Sequence, residues 1–137
     1  MQPPAVTAEG RVGPDAGNRP AASVILTLRH RADFLRAAQA RRQGMPGFTL
    51  QARRRAEGEP DAGAIRIGFT CSKKIGNAVT RNRAKRRLRA LARELVPGCG
   101  LPGWDYVLVG RPAATVTLPF AEMRAELARA FDRVHRK

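Results

Sequence analysis

The stretch KKIGNAVTRNRAKRRLRALAREL, residues 73–95, constrains the fold more than any other. Its apolar residues Ala84, Leu88, Leu91, Ala92 and Leu95 recur at helical spacing and form one stripe, while Asn82, Arg86, Arg89 and Arg93 fall on roughly the opposite face. The spacing predicts a helix from Asn77 to Val96, N-capped by Asn77, docked on one side and open on the other. Nine lysines and arginines stand in the stretch against one acid, Glu94. A helix face that only meets water interleaves acids at i+4. Here like charges meet at that spacing, Lys85 with Arg89 and Arg89 with Arg93, at a cost of about 0.2–0.5 kcal/mol per pair. No Asp or Glu occurs between Asp61 and Glu94, whereas Arg66, Lys73, Lys74 and the helix's own cations do. A partner that neutralises these charges accounts for the pattern.

The whole chain leans the same way, with 26 basic residues against 11 acidic ones and a formal net charge of +15 over 137 residues. That length fits one domain with a real core. Self-repulsion on this scale opposes compaction and points to a polyanion, either nucleic acid or an anionic membrane surface. A membrane-surface helix carries bulky Trp, Phe and Leu on its apolar face. The stripe here has two alanines and three leucines, which suits packing on a sheet. Arginine outnumbers lysine, and its planar fork matches phosphate, so nucleic acid is the better partner. No stretch approaches the roughly 18 apolar residues of a membrane span, and AASVIL near the start is too short for a signal-peptide core. Cys71 and Cys99 lie far apart without a CxxC pair, as suits a reducing compartment. They read as a buried strand thiol and an incidental turn thiol in a soluble, cytoplasmic protein.

Residues 1–24 are rich in Pro, Gly and Ala, lack periodicity and balance their charges, which predicts a disordered tail. A helix is expected over about 31–43, with Phe34, Leu35 and Ala38 inward and Gly44 as its stop. GFTLQARR alternates Phe48, Leu50 and Ala52 against Thr49, Gln51 and Arg53, and AIRIGFTCS alternates Ile65, Ile67, Phe69 and Cys71 against Arg66, Gly68, Thr70 and Ser72. Both have the period of a half-buried strand. PGCGLPG is expected to end the basic helix, and WDYVLVG reads as a more deeply buried strand. A last helix begins near Pro119, with Phe120, Met123, Leu127, Phe131 and Val134 at helical spacing. The expected order is α-β-β-α-β-α, an α+β single-domain sandwich with a small sheet.

The run SKKIGNAVTRNRAKRRLR resembles the signature of the bacterial ribonuclease P protein component, a Ser-Lys-Lys-x-Gly-x-Ala-Val segment leading into an Arg-Asn-Arg helix. In this chain the pattern falls on Ser72, Lys73, Lys74, Gly76, Ala78 and Val79, then Arg81, Asn82, Arg83, Lys85, Arg86 and Arg89. The likeness extends from about Leu28 to Phe131 and takes in the Gly110-Arg111-Pro112 turn, so residues 25–137 are expected to form the family domain. The resemblance implies a strand-helix-strand crossover of unusual left hand. It also implies an accessory role in endonucleolytic tRNA processing: a catalytic RNA, using magnesium, removes the 5′ leader of precursor tRNA. The protein docks on that RNA and holds the leader between the first helix and the sheet.

Carried over residue by residue, the resemblance makes Lys73, Lys74, Arg81, Asn82, Arg83, Lys85, Arg86 and Arg89 the RNA-binding set, with the cations on phosphates. Asn82 can anchor the helix start or a hydrated metal. Gly76 permits a tight turn that brings backbone close to phosphate. Phe34, Thr49, Gln51 and Thr70 become the lining of the leader cleft, where an aromatic stacks on bases of any identity. The chain departs from the family at Ala38, where a second aromatic is usual, and at Gln51, where a tyrosine is frequent. Polar contacts are therefore expected to carry more of leader binding.

A protein nuclease needs an acid and a base within reach, or carboxylates gathered on a metal. His30 and His135 lie near opposite ends of the ordered region beside arginines, and read as surface or RNA-contacting residues. Glu122 and Glu126, with Arg129 and Arg133 nearby, read as a solvated ion-paired face. No catalytic residue or protein metal site is assigned. A ribosomal or other structural RNA-binding protein is the second reading, since it shares the charge and architecture without needing the whole motif.

Overall fold

The computed structural model describes residues 24–136. The expected tail, apart from Val24, lies outside the described residues. A five-stranded mixed sheet runs in the order β1-β4-β5-β3-β2. Its strands are β1 (Ile25–Thr27), β2 (Arg41–Gly44), β3 (Phe48–Arg54), β4 (Ile65–Thr70) and β5 (Trp104–Gly110). The helices are α1 (Arg31–Ala38), α2 (Ala78–Cys99), a single turn α3 (Ala114–Thr117) and α4 (Phe120–Val134), with a 3₁₀ turn over Lys73–Ile75. The chain is thus α+β, as expected.

The main core lies on the face covered by α2 and α4, where the inward sets of β3, β4 and β5 meet Ala84, Leu88, Leu91 and Ala92 of α2 and Met123, Leu127 and Phe131 of α4. Burying each leucine side chain contributes about 1.5–3 kcal/mol before cavity terms. On the other face α1 covers a smaller cluster of Leu28, Ala37 and Val107, with Phe34 and Val109 packed against it. The strand β5 is central and covered on both faces, which explains its continuous apolar run. It lies parallel to its neighbour β4, to which it is joined by α2, and antiparallel to β3 on the other side.

The elements differ from expectation at the sheet edges. The first helix ends at Ala38, not near Gly44, because Arg41–Gly44 turns back and pairs with β3. A four-residue run of Arg-Arg-Gln-Gly is a poor strand by propensity, but it is a well-protected edge. The short strand β1 adds the opposite edge, parallel to β4, and Val24 accepts a hydrogen bond from Ile65 N–H at 2.9 Å. The β-branched Val24, Ile25 and Thr27 around Leu26 were the available signal. The basic helix runs three residues past Val96, with Pro97 in its last turn and the Gly100 N–H returning to the Val96 carbonyl at 2.8 Å.

Candidate nucleic-acid interface

The start of α2 is built as the sequence requires. The Asn77 side-chain oxygen accepts the Thr80 N–H at 3.0 Å, satisfying a donor that the helix itself leaves free. Just before it, the Ser72 hydroxyl accepts the Lys74 N–H at 3.3 Å and caps the 3₁₀ turn that presents Lys73 and Lys74 to solvent. Gly76 joins the two caps at φ 145°, in the left-handed region that favours glycine. Ala84, Leu88, Leu91 and Ala92 are buried, and Asn82, Arg83, Arg86, Arg89 and Arg93 are exposed along the opposite side. Among the described residues no cation of α2 pairs with a carboxylate, and the helix's own acid, Glu94, pairs with Arg124 of α4 at the far end. The cationic ridge is therefore unbalanced in three dimensions as well as along the chain.

Three members of the run stand apart. Arg87 turns inward and donates to the carbonyls of Thr115 at 3.0 Å and Leu118 at 2.5 Å, so it anchors the α3–α4 segment. Arg81 and Lys85 are half-buried, and the Arg81 Nε is buried without a hydrogen bond among the described residues.

The second set of expected residues lies on the α1 face of the sheet. Cross-strand register places Gly44, Thr49, Val109 and Thr70 in one row, and Arg42, Gln51, Val107 and Gly68 in the next. Thr49, Gln51 and Thr70 thus share one surface, and the Phe34 ring lies at its margin over Gly68. A Cβ at Gly68 would stand 2.6 Å from the ring, so the absence of a side chain there is what lets Phe34 approach. Gln51 is largely buried, Thr49 is partly exposed and Thr70 is open. Arg111, absent from the expected set, extends its Nη2 to the Thr49 hydroxyl at 3.3 Å and its Nε to the Phe48 carbonyl at 3.4 Å. With Arg42 at the end of the neighbouring row, it brings positive charge to this face.

Beneath that face lies an ionic cluster that alternation alone does not reveal. Arg66, expected on an open face and counted among the unmatched cations, is buried. It forms a fork on Asp105, with Nε and Nη2 each 2.7 Å from a carboxylate oxygen. Asp105 is fully buried and also accepts from Arg55 at 2.5 Å, while Arg66 reaches Asp33 of α1 at 3.3 Å and Asp61 at 3.2 Å. Acids distant in sequence thus neutralise Arg66, and one of them ties α1 to the sheet one residue before Phe34. Burial would make a lone guanidinium or carboxylate costly, and the fork geometry with shared partners offsets this.

Two further expectations are corrected. Glu126 is not on a solvated face but buried, accepting the Gly47 N–H at 2.9 Å. His135 sits in an aromatic cluster with Trp104, Tyr106 and Phe131. The Tyr106 oxygen lies 2.8 Å from both Leu101 N and His135 Nε2. The arrangement that satisfies all three has the hydroxyl accept from Leu101 and donate to a bare Nε2. Burial, then the nearby Arg41, pushes the His135 pKa down, and burial pushes the Tyr106 hydroxyl up.

A small basic α+β protein with a one-sided arginine ridge is the class that this geometry defines. The Ribonuclease P family model matches residues 25–135, and the chain belongs to that family. It is 56% identical over 115 residues to the ribonuclease P protein component of Ruegeria pomeroyi, covering 84% of this chain and 90% of the relative. Its identity to that of Paramagnetospirillum magneticum is 44% over 108 residues, covering 78% and 80%. Among solved structures it is similar to the RNase P protein of Thermotoga maritima, with TM-score 0.63, 26% identity and coverage of 78% of this chain and 96% of that one. The Staphylococcus aureus RNase P protein shares the fold, with TM-score 0.61 and 24% identity over 80% and 94% of the two chains.

Proposed function

We propose that this chain is the protein subunit of ribonuclease P and assists a catalytic RNA in endonucleolytic removal of the 5′ leader from precursor tRNA. The observation that carries the reading is the exposed ridge of α2, whose sequence is the family signature and whose cations have no carboxylate partner among the described residues, Glu94 being paired with Arg124 of α4. In this reading Lys73, Lys74, Arg81, Arg83, Lys85, Arg86 and Arg89 hold phosphates of the RNA subunit, and Asn82 orients the first turn. The Phe34, Thr49, Gln51 and Thr70 surface holds the leader, with the base on the Phe34 side and polar or charged contacts from Thr49, Gln51 and Arg111. The left-handed sense of the β4–α2–β5 crossover belongs to the same reading.

Cleavage is assigned to the RNA, and so is the magnesium that the reaction requires. In support, Asp33, Asp61 and Asp105 are all engaged by arginines. No group of three or more His, Cys, Asp or Glu that could hold a metal ion occurs among the described residues. What this chain contributes is charge neutralisation and placement. The test is reconstitution of precursor tRNA with a bacterial ribonuclease P RNA at low magnesium, with and without the protein. Faster cleavage with the protein is expected, and an unchanged rate overturns the reading. With about six phosphates engaged, log K for RNA binding falls against log salt with a slope of about −4 to −5.

A further inference from the structure

A cavity of about 490 Å³ opens between the edge strand β1, its neighbour β4 and the middle of α2. It opens on the α2 side of the sheet and reaches round the β1 edge to Leu28 and Phe34 of the α1 face. Ile25, Ile67 and Phe69 give it an apolar floor, and Lys85, Arg89 and Arg93, successive at i+4, give it a cationic wall. No acid lines it. The Arg89 guanidinium stands 5.9 Å from the centre of the Phe69 ring, a pairing of flat cation and aromatic that continues naturally onto another flat ring. Because β1 is the outermost strand, the mouth opens at the sheet edge, and Ile25 is left 41% exposed.

Such a site is incomplete in water. An apolar floor of this size calls for a flat or greasy group, and three cations without a carboxylate call for an anion. An unpaired nucleotide supplies both, and the volume falls within the usual range of small-ligand sites, about 300–1,000 Å³. The tail is a poorer match, since residues 1–23 carry two acids and two arginines. Resting on the ribonuclease P reading, we propose that this cavity receives one unstacked base of the RNA subunit, with its flanking phosphates on Lys85, Arg89 and Arg93. The ridge then reads shape as well as charge: a bulged or looped nucleotide must stand where α2 meets β1. Stacking and burial contribute without regard to base identity.

The test begins with the full chain and nucleoside 5′-monophosphates, followed by NMR of the Ile25 and Ile67 methyl groups at constant salt. All four nucleotides are expected to shift these methyls, at least tenfold more tightly than ribose 5-phosphate. Equal affinity for ribose 5-phosphate reduces the cavity to a charged surface and overturns the proposal. So does the absence of any methyl shift. Thr27→Trp, from an exposed position on β1, blocks the mouth; it is expected to abolish the shifts and weaken binding of the RNA subunit at least fivefold with the salt slope unchanged. Ile25→Trp serves where Thr27→Trp fails to fold. If a folded blocking variant binds the RNA subunit normally, or loses only the dependence of substrate binding on leader length, the base does not come from the RNA subunit and the proposal fails. The docking reading fails separately, if Arg83→Ala and Arg86→Ala leave the salt slope unchanged while nucleotides still enter the cavity.

Discussion

Arginine does opposite work on the two faces of this sheet. Under the α1 face, Arg55 and Arg66 are buried and locked onto Asp105, so their charges are cancelled within the protein. Along α2, Arg83, Arg86, Arg89 and Arg93 stand in water with no carboxylate beside them among the described residues. The same side chain is thus an internal fastener in one place and an exposed, unmatched charge in the other. Composition cannot separate the two, and the difference lies in where the acids fold.

The contrast breaks first at Asp105. Asp105→Ala leaves the buried Arg55 without its carboxylate and takes the fork from Arg66, which keeps Asp33 and Asp61. It is expected to lower unfolding free energy by about 3–5 kcal/mol in denaturant titration, whereas a loss under 1 kcal/mol would mean that water solvates the cluster. The next largest effect is at Gly68, where Gly68→Ala drives a methyl into the Phe34 ring and is expected to cost about 1–3 kcal/mol. The same change in a Phe34→Ala background should cost less, since only the tight approach to the Leu28 Cβ at 3.1 Å is left, and equal costs in both backgrounds would remove the proposed contact. Asn77→Ala deletes the cap of α2 and is expected to cost about 1 kcal/mol, with helix content otherwise kept.

The ridge supplies the opposite outcome. Arg86→Ala and Arg89→Ala should each change stability by no more than about 0.5 kcal/mol. Each should also reduce the salt slope of RNA binding by about one unit. A variant that melts like the Asp105 one would show that the ridge is structural after all. The smallest effect is at His135. Its folded pKa lies below the unfolded value of about 6.5, so the unfolded chain takes up more protons in between and stability rises with pH across that window. Melting temperature should therefore fall as pH drops below about 6.5, and His135→Phe should flatten that part of the profile.

Much of this was legible in the sequence because it depends on periodicity. The Leu88 and Leu91 stripe, the Asn77 cap and the inward alternation of β3 all follow from local spacing. Gly68 and Arg66 show where that reasoning stops. Both sit at outward positions of an alternating strand, and nothing nearby announces that Phe34 lies over one or that Asp105 neutralises the other. Those facts depend on α1 and β5 arriving from elsewhere in the chain. The edge strand β2 was hidden for a related reason: Arg41 and Arg42 gain strand geometry from pairing with Ala52 and Gln51, not from their own preference. Of the two expected surfaces, the ridge is local, and its exposed side follows from helical spacing. The α1 face was found in part, lacking Arg111, whose approach to Thr49 requires the turn after β5.

The short corner from Ser72 to Gly76 has a metrical consequence. It connects the open end of β4, where Thr70 stands, to the first turn of α2, and it is pinned by a hydroxyl at one end and an amide at the other. The separation between the Thr70 end of the α1 face and the cationic first turn of α2 is therefore set by a few residues of braced backbone, and lengthening the corner by even one residue would reset that spacing.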